Sequence, residues 1–461
     1  MRYYRLTLLA LLITTAAIAG AKARYVFYFI GDGMGMGHVN ATQYYNRMVL
    51  GNEEPLLMMQ FPVASQAWTY SASSPVTDSA AAGTALSTGF KTNNYMVAIA
   101  PDSTTHYKSI ARTLKDEGWG VGILSSVAPD DATPAAFYAN RLDRGMLDGI
   151  DEDAVKSGYE FMGGASLRGL KDSEGRPNAV AEMLDKSGIK ILYGTEGHEN
   201  IDAERLMILS PEEARSNNND IGYTIDSIPG AMTLPELTRA GLAQVSRRSP
   251  DRFFMMIEGG NIDHAAHAND PGGVIKEILN FQDAIKVAYD FYLQHPDETL
   301  IVVTADHDTG GMALSRKTKG GLALIDNQRI SKDRLTDYCR DLLENNKPIT
   351  WEEMKSLLSD KLGFWTAIPV DEKTTESLHG TFNRTFIDRT ALSERALYNV
   401  YNAFVTEVFK IYNKQVGTAF ISSSHTANPV PVFAIGAGAG KFSGANNNTD
   451  IPKLIYEATR Q

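Results

Sequence analysis

Tyr25-Val26-Phe27-Tyr28-Phe29-Ile30-Gly31-Asp32 is an apolar run of aromatic and β-branched residues that ends in a glycine and an acid. An unbroken apolar run of this length reads as a strand buried on both faces, as in a parallel sheet. The pattern recurs at Gly120–Leu124, Phe253–Ile257, Leu300–Thr304 and Pro431–Ile435. Between these runs lie segments with apolar residues at helical spacing, of which Val274–Leu293 is an example. Such alternation predicts an α/β fold, a three-layer α/β/α sandwich around a large, mostly parallel central sheet.

Polar residues with chemical potential follow each of the first four strands. Asp32 follows the first, Asp131 and Thr133 the second, Glu258 the third, and Asp306 and His307 the fourth. Ligands of open α/β sheets bind beyond the carboxyl ends of the strands. Four strands that deliver carboxylates to one edge therefore predict one site. The stretch from about Ala313 to Ile421 differs: helix-rich, charged segments (Lys332–Asn346, Trp351–Leu362, Ala391–Lys414) replace buried-strand runs. It reads as an inserted cap within a catalytic domain spanning 24–461. A smaller irregular segment, Arg144–Pro250, offers few site candidates.

The first residues form a leader. Met1–Arg5 is basic, Leu6–Gly20 is apolar, and Ala17-Ile18-Ala19 supplies small residues, the layout of a secretory signal peptide. Residues 1–23 are assigned to it, with cleavage between Ala19 and Ala23 and a periplasmic or extracellular destination. The apolar run is shorter than the roughly 20 residues that span a bilayer, so no stable membrane anchor is expected. Cys339 is the single cysteine of 461 residues, so stability must come from the core and bound metal rather than intrachain disulfides. A net charge of −11 argues against nucleic-acid binding. An acidic protein that handles phosphate must neutralise it locally, with metals or a placed arginine.

The candidate chemistry sits in five places. In Glu258-Gly259-Gly260-Asn261-Ile262-Asp263-His264-Ala265-Ala266-His267, the acid at 263 and the imidazole at 267 are four apart and share a helix face. Carboxylate plus imidazole is a zinc ligand set. Asp306-His307 places an oxygen and a nitrogen donor at a strand end, although an N-cap aspartate beside an incidental histidine would look the same. His425, in Ser422-Ser423-Ser424-His425-Thr426, gains weight as the third protein ligand a catalytic zinc needs. Ser79, in Thr77-Asp78-Ser79-Ala80, precedes good helix formers; free N–H groups at a helix start bind phosphoryl oxygens. Taken alone, Asp78 or Ser79 reads as an N-cap. Asp131 and Thr133 offer oxygens to a hard cation, and Arg141 and Arg144 follow within reach of an anion, where a guanidinium grips phosphate as a fork. Gly436–Gly440 has too little chain after it for a dinucleotide-binding unit, and Gly440-Lys441-Phe442 is not a P-loop.

These segments, in this order, resemble the alkaline phosphatase family. The resemblance runs from the first strand nearly to the C-terminus and omits the cap. It implies two zinc ions and one magnesium ion. Asp263, His267 and His425 would hold the first zinc; Asp32, Asp306, His307 and the Ser79 oxygen the second. Asp32, Thr133 and Glu258 would hold magnesium, with Asp131 acting through its waters. Arg144, thirteen residues after Asp131, matches the family's phosphate-binding arginine, and Arg141 does not. His264 stands beside the ligands where many bacterial members carry lysine, which together with Asp131 leaves the third metal's identity open. Asp308-Thr309 replaces a histidine-containing outer shell found in some relatives. The family's properties imply hydrolysis of small phosphate monoesters at alkaline pH through a phosphoseryl intermediate, in a homodimer.

Rival readings stay within reach. A phosphodiesterase of the same superfamily would not need a guanidinium facing a dianion. A sulfatase requires a different context from Ser79-Ala80-Ala81. A cofactor-independent mutase fits poorly with an exported chain, and a non-catalytic metal- and phosphate-binding protein would not need the nucleophile.

Overall fold

A computed structural model describes residues 22–216, 220–316, 321–395 and 399–460. Most of the leader lies outside the described residues. Ten strands form the central sheet: β1 (Tyr25–Ile30), β2 (Val63–Trp68), β3 (Gly120–Ser125), β4 (Phe161–Gly164), β5 (Lys190–Tyr193), β6 (Leu206–Leu209), β7 (Phe253–Glu258), β8 (Thr299–Thr304), β9 (Val430–Gly436) and β10 (Ala445–Asn447). Their spatial order is β10-β2-β9-β8-β1-β7-β3-β4-β6-β5. All neighbours are parallel except β9, which runs antiparallel to both β2 and β8. The expected mostly parallel α/β sandwich is thus observed.

The apolar runs are strands because both faces are covered. Every residue of β1, β3, β7 and β8 is buried. Alternate side chains of β1 show the two layers. Phe27 and Phe29 pack on Phe291 and Phe281 of the helix Pro271–Tyr292. Tyr28 points the other way, against Phe137 and Phe254, with its hydroxyl donating to the Leu86 carbonyl of the helix Ser79–Thr88. Among the described residues no helix is long and apolar enough to cross a membrane.

Register fixes the functional edge. Ile30 lies opposite Glu258 on one side and Thr304 on the other, and Ser125 lies opposite Glu258. The last residues of four adjacent strands therefore stand in one row. A shift of one residue on any of them would turn its side chains to the wrong face.

Two sequence expectations change. Ala391–Lys414 is not helical throughout: Ser393–Arg395 and Val400–Asn402 pair as an antiparallel ribbon, and the helix runs from Ala403 to Val416. Asn402 sets that start, since its side chain accepts the Val405 N–H as an N-cap. Arg144–Pro250 is not merely irregular, because it supplies β4, β5 and β6. These strands have four residues each, too short for periodicity to identify. Elsewhere, Ala313–Leu314 pairs antiparallel with Thr418–Ala419, so the chain enters and leaves the intervening region at one point.

Phe254 is fully buried in β7 beneath Tyr28 and Phe137. Its replacement by alanine is expected to cost about 3–5 kcal/mol of stability, measured by denaturant unfolding.

Candidate active site

Gly31 to Met34 turn the chain immediately after β1. Gly33 takes a left-handed φ of +69°, and a Cβ there would stand 2.7 Å from Asp263 Oδ1 and 2.8 Å from Thr309 Oγ1. Only glycine allows that approach without strain. In return the Gly33 N–H donates to Asp306 Oδ1 at 3.0 Å, joining the ends of β1 and β8.

Ser79 is the first residue of the helix Ser79–Thr88, and its side chain is buried. Asp78 is the N-cap, accepting the Ala81 N–H at 3.0 Å. The capping duty falls on Asp78 and leaves the Ser79 hydroxyl available. Its Oγ lies 3.2 Å from His307 Nε2.

Three imidazoles are oriented in the same manner. Nδ1 of His267 faces the Ser423 carbonyl at 2.6 Å, and Nδ1 of His425 faces the Thr77 carbonyl at 2.8 Å. Nδ1 of His307 lies 3.1 Å from Thr309 Oγ1, which itself donates to Asp263 Oδ1 at 2.5 Å. A carbonyl can only accept, so each of the first two rings carries its proton on Nδ1. Their Nε2 atoms then face one another at 3.0 Å. Burial, followed by the nearby His307, pushes the His425 pKa down to about 3, so this ring is neutral. Two ring nitrogens this close, with Asp263 Oδ2 3.2 Å from His267 Nε2, suit a shared cation. Fixing Nδ1 by an outer partner is how proteins present Nε2 to a metal.

The carboxylates point to the same conclusion. Asp263, His267 and His425 bring donor atoms within 4.8 Å of one another, as do Asp32, Asp263 and His307. His307 Nε2 is also 3.1 Å from Asp306 Oδ2. Asp32 Oδ1 and Asp263 Oδ2 are buried and make no hydrogen bond among the described residues. Burial, then the carboxylates of Asp306, Asp263 and Glu258, raises the Asp32 pKa well above its usual range. Glu258 rises to about 8, chiefly through burial; its carboxyl also pairs with the Ser125 hydroxyl. Thr133 sits with its hydroxyl 3.4 Å from Asp306 Oδ2. Carboxylates packed so closely repel unless protons or cations intervene. The donors, all oxygen and imidazole nitrogen, suit zinc and a harder divalent ion.

The anion-binding side is built around Asp131. Arg144 donates to its Oδ1 at 2.7 Å and reaches Asp78 Oδ2 at 3.4 Å. Arg168 approaches Asp131 Oδ2 at 3.1 Å and holds Asp130 Oδ1 at 2.7 Å. Burial opposes ionisation of Asp131, but Arg168 and then Arg144 outweigh it and hold the carboxyl well below the usual range. His264, expected beside the ligands, donates to Asp220 Oδ2 at 2.7 Å. Burial works against its charge, yet Asp220 raises its pKa to about 9. Arg141 turns away to Asp153 and the Gly149 carbonyl. Thr77, Asp131, Arg144, Arg168, His267 and His425 line a cavity of about 670 Å³, within the roughly 300–1,000 Å³ of small-molecule sites.

Arg168 and Asp220 escaped the sequence reading, which expected few site candidates in Arg144–Pro250. Both follow short strands or loops and gain meaning only through tertiary pairing. The second acid in Asp130-Asp131 was the available hint that one guanidinium would not suffice.

A buried serine hydroxyl among imidazole and carboxylate donors, with two guanidinium groups lining the neighbouring cavity, fits a hydrolase suited to metal ions and an anionic substrate. Known proteins narrow that class. The sequence profile of the alkaline phosphatase family matches residues 23–170 and 216–461, and the chain belongs to this family of phosphatases. Alkaline phosphatase 3 of Bacillus subtilis (strain 168) is 27% identical over 443 residues, covering 95% of this chain and 89% of its own. Streptomycin-6-phosphate phosphatase of Streptomyces griseus is 28% identical over 338 residues, 62% of this chain and 74% of that protein. The crystal structure of a cold-active alkaline phosphatase from Shewanella sp. matches with a TM-score of 0.77 at 25% identity, over 95% of this chain and all of that one. Thermus thermophilus alkaline phosphatase matches in fold with a TM-score of 0.79 at 24% identity, covering 95% and 92% of the two chains.

Beneath Arg168, Asp151 is buried against Asp130, and burial followed by that neighbour lifts its pKa from the usual 3.8 to about 9. The folded state therefore binds the proton more tightly than the unfolded chain. Its contribution is fully present below 3.8 and is lost as pH rises through about 9. In Asp151→Asn the amide can donate to Asp130 and accept the Gly169 N–H that Asp151 now accepts. The fall in stability across that pH window is expected to flatten in Asp151→Asn, read from denaturant midpoints at several pH values.

Proposed function

We propose that this protein is an exported, metal-dependent hydrolase of small phosphate monoesters that works at alkaline pH through a phosphoseryl intermediate. The observation that carries the reading is the Ser79 hydroxyl at a helix start, 3.2 Å from His307 Nε2, with Arg144 lining the same cavity as the preceding Thr77 and Asp78. Export rests on the Met1–Gly20 pattern, and a homodimer on family membership. The segment at about 313–421 is assigned as the inserted cap, consistent with its paired entry and exit.

Asp263, His267 and His425 would hold one zinc ion, and Asp32, Asp306, His307 and Ser79 a second. Asp32, Thr133 and Glu258 would hold magnesium, with Asp131 acting through its waters. When bound, these ions supply Lewis acidity that lowers the serine pKa and offsets the charge of phosphate. The chain's own groups do the rest. Ser79 gives up its hydroxyl proton to solvent and its Oγ bonds to phosphorus as the ester P–O bond breaks; the departing alcohol oxygen takes a proton from solvent. A water oxygen then bonds to phosphorus and releases a proton, the Ser79 O–P bond breaks with Oγ taking up a proton, and inorganic phosphate departs. Arg144 and the backbone N–H of Ser79 stabilise charge on the non-bridging oxygens throughout. Asp131 aims the Arg144 fork, and the Nδ1 partners of the three histidines keep Nε2 directed into the site. A guanidinium facing a dianion favours monoesters over diesters.

The test compares p-nitrophenyl phosphate with bis(p-nitrophenyl) phosphate at alkaline pH. The monoester is expected to be the better substrate, with activity lost to chelator and restored by zinc plus magnesium. Ser79→Ala should abolish both turnover and acid-stable labelling of the protein by radioactive phosphate; turnover surviving in that variant would remove the covalent route. Arg144→Ala is expected to lower kcat/KM by about 10²–10³-fold, measured on the same monoester.

A further inference from the structure

Tyr95 lines the cavity that Arg144 and His425 share, beside Val76 and Leu147. The residue is 57% exposed, so packing gives little reason for an aromatic residue there. Its backbone gives a reason against one. Tyr95 has a φ of +73°, the left-handed region that glycine adopts freely and bulky residues rarely do. Strained positions of this kind persist where the surroundings hold them, and they gather at ligand sites.

The surroundings do hold Tyr95. Its carbonyl accepts the Arg144 N–H at 2.8 Å, and Val97 and Arg141 exchange two backbone hydrogen bonds of 2.9 Å. The preceding Asn94 donates to the Val76 carbonyl at 3.1 Å and accepts the Asp78 N–H at 3.4 Å. One short segment is thus tied to the strand of chain carrying Arg144 and to the segment leading into Ser79. Tyr95 thus lines the same cavity as Arg144 and the Thr77-Asp78 segment that leads into Ser79. The cavity, about 670 Å³, has far more room than a phosphate group fills. Val76, Leu147 and Tyr95 contribute its apolar lining, beside polar residues such as Asn94 and Asp143.

We propose that Tyr95 is a specificity-determining residue, a platform on which the flat aromatic or heteroaromatic ring of the substrate's alcohol portion stacks. The inference rests on the monoester-hydrolase reading and names the substrate class: phosphate esters of ring-bearing alcohols. Phosphate fixes one end of the substrate against Arg144, and the ring fixes the other by offset or edge contact. A flexible alkyl ester would occupy the same phosphate site without gaining the second contact.

Phenylphosphonate and methylphosphonate, which share the anion and differ in the ring, are the probes. Their competitive inhibition constants are measured against p-nitrophenyl phosphate, and kcat and KM are compared for phenyl phosphate and glycerol phosphate. Tyr95→Leu is expected to weaken phenylphosphonate by about 3- to 10-fold and to leave methylphosphonate and kcat for glycerol phosphate unchanged. Tyr95→Phe should retain the preference. Tyr95→Gly should lose it while unfolding at a temperature no lower than the parent, because the strain is relieved. An unaltered ratio of the two phosphonates in Tyr95→Leu, or equal weakening of both, would overturn the proposal. Absence of monoester hydrolysis by the parent protein is a separate result, and it would overturn the functional reading beneath.

Discussion

Like charges buried together are the constraint on which the rest of the molecule turns. Asp32, Glu258, Asp263 and Asp306 converge at one edge of the sheet, buried and mutually repelling. Such a cluster is unfavourable in a low-dielectric interior unless cations or protons accompany it. The fold keeps the acids there because strand register leaves them nowhere else to go. β1, β7 and β8 end level with one another, and each is buried on both faces. The apolar packing of Phe27, Phe29 and Tyr28 on both helix layers thus holds an electrostatic arrangement that would not assemble alone.

The imidazoles translate this constraint into direction. Each of His267, His307 and His425 has its Nδ1 engaged by an atom outside the donor cluster, two of them by backbone carbonyls. Thr309 is the most economical of these partners. Its hydroxyl touches both His307 and Asp263, so one side chain couples the two groups of donors. Asp131 plays a comparable part on the other side. Held between Arg144 and Arg168, it orients two guanidinium groups at once.

Much of this was legible in the sequence, for a definite reason. Asp32, Glu258, Asp306 and His307 lie next to buried strands, so a reading of the strands is also a reading of where those side chains gather. Asp263 and His267 share a helix face by spacing alone, and the structure sets His267 Nε2 3.2 Å from Asp263 Oδ2. What escaped depends on distance along the chain. Arg168 meets Asp130 and Asp131 only after the four-residue strand β4 returns the chain to the edge. Asp220 reaches His264 across 44 residues. The ribbon Ser393–Arg395 with Val400–Asn402 was masked by a charged composition that helices share. Arg141 and Arg144 are the same residue type three apart; the spacing from Asp131 singles out Arg144, and the pairing of Arg141 with Asp153 agrees with it.

The pairing of Ala313–Leu314 with Thr418–Ala419 has a consequence for how such a protein can change over time. The chain departs from the scaffold and rejoins it at a single doorway, so the distance to be bridged is the same however much lies between. Closing a longer excursion costs only a slowly growing entropy. Variation in length there is limited to parts that do not pack back on the core, since Gln328, Lys332 and Asn413 hydrogen-bond to Ala268, Asn269 and Asp270 directly after His267.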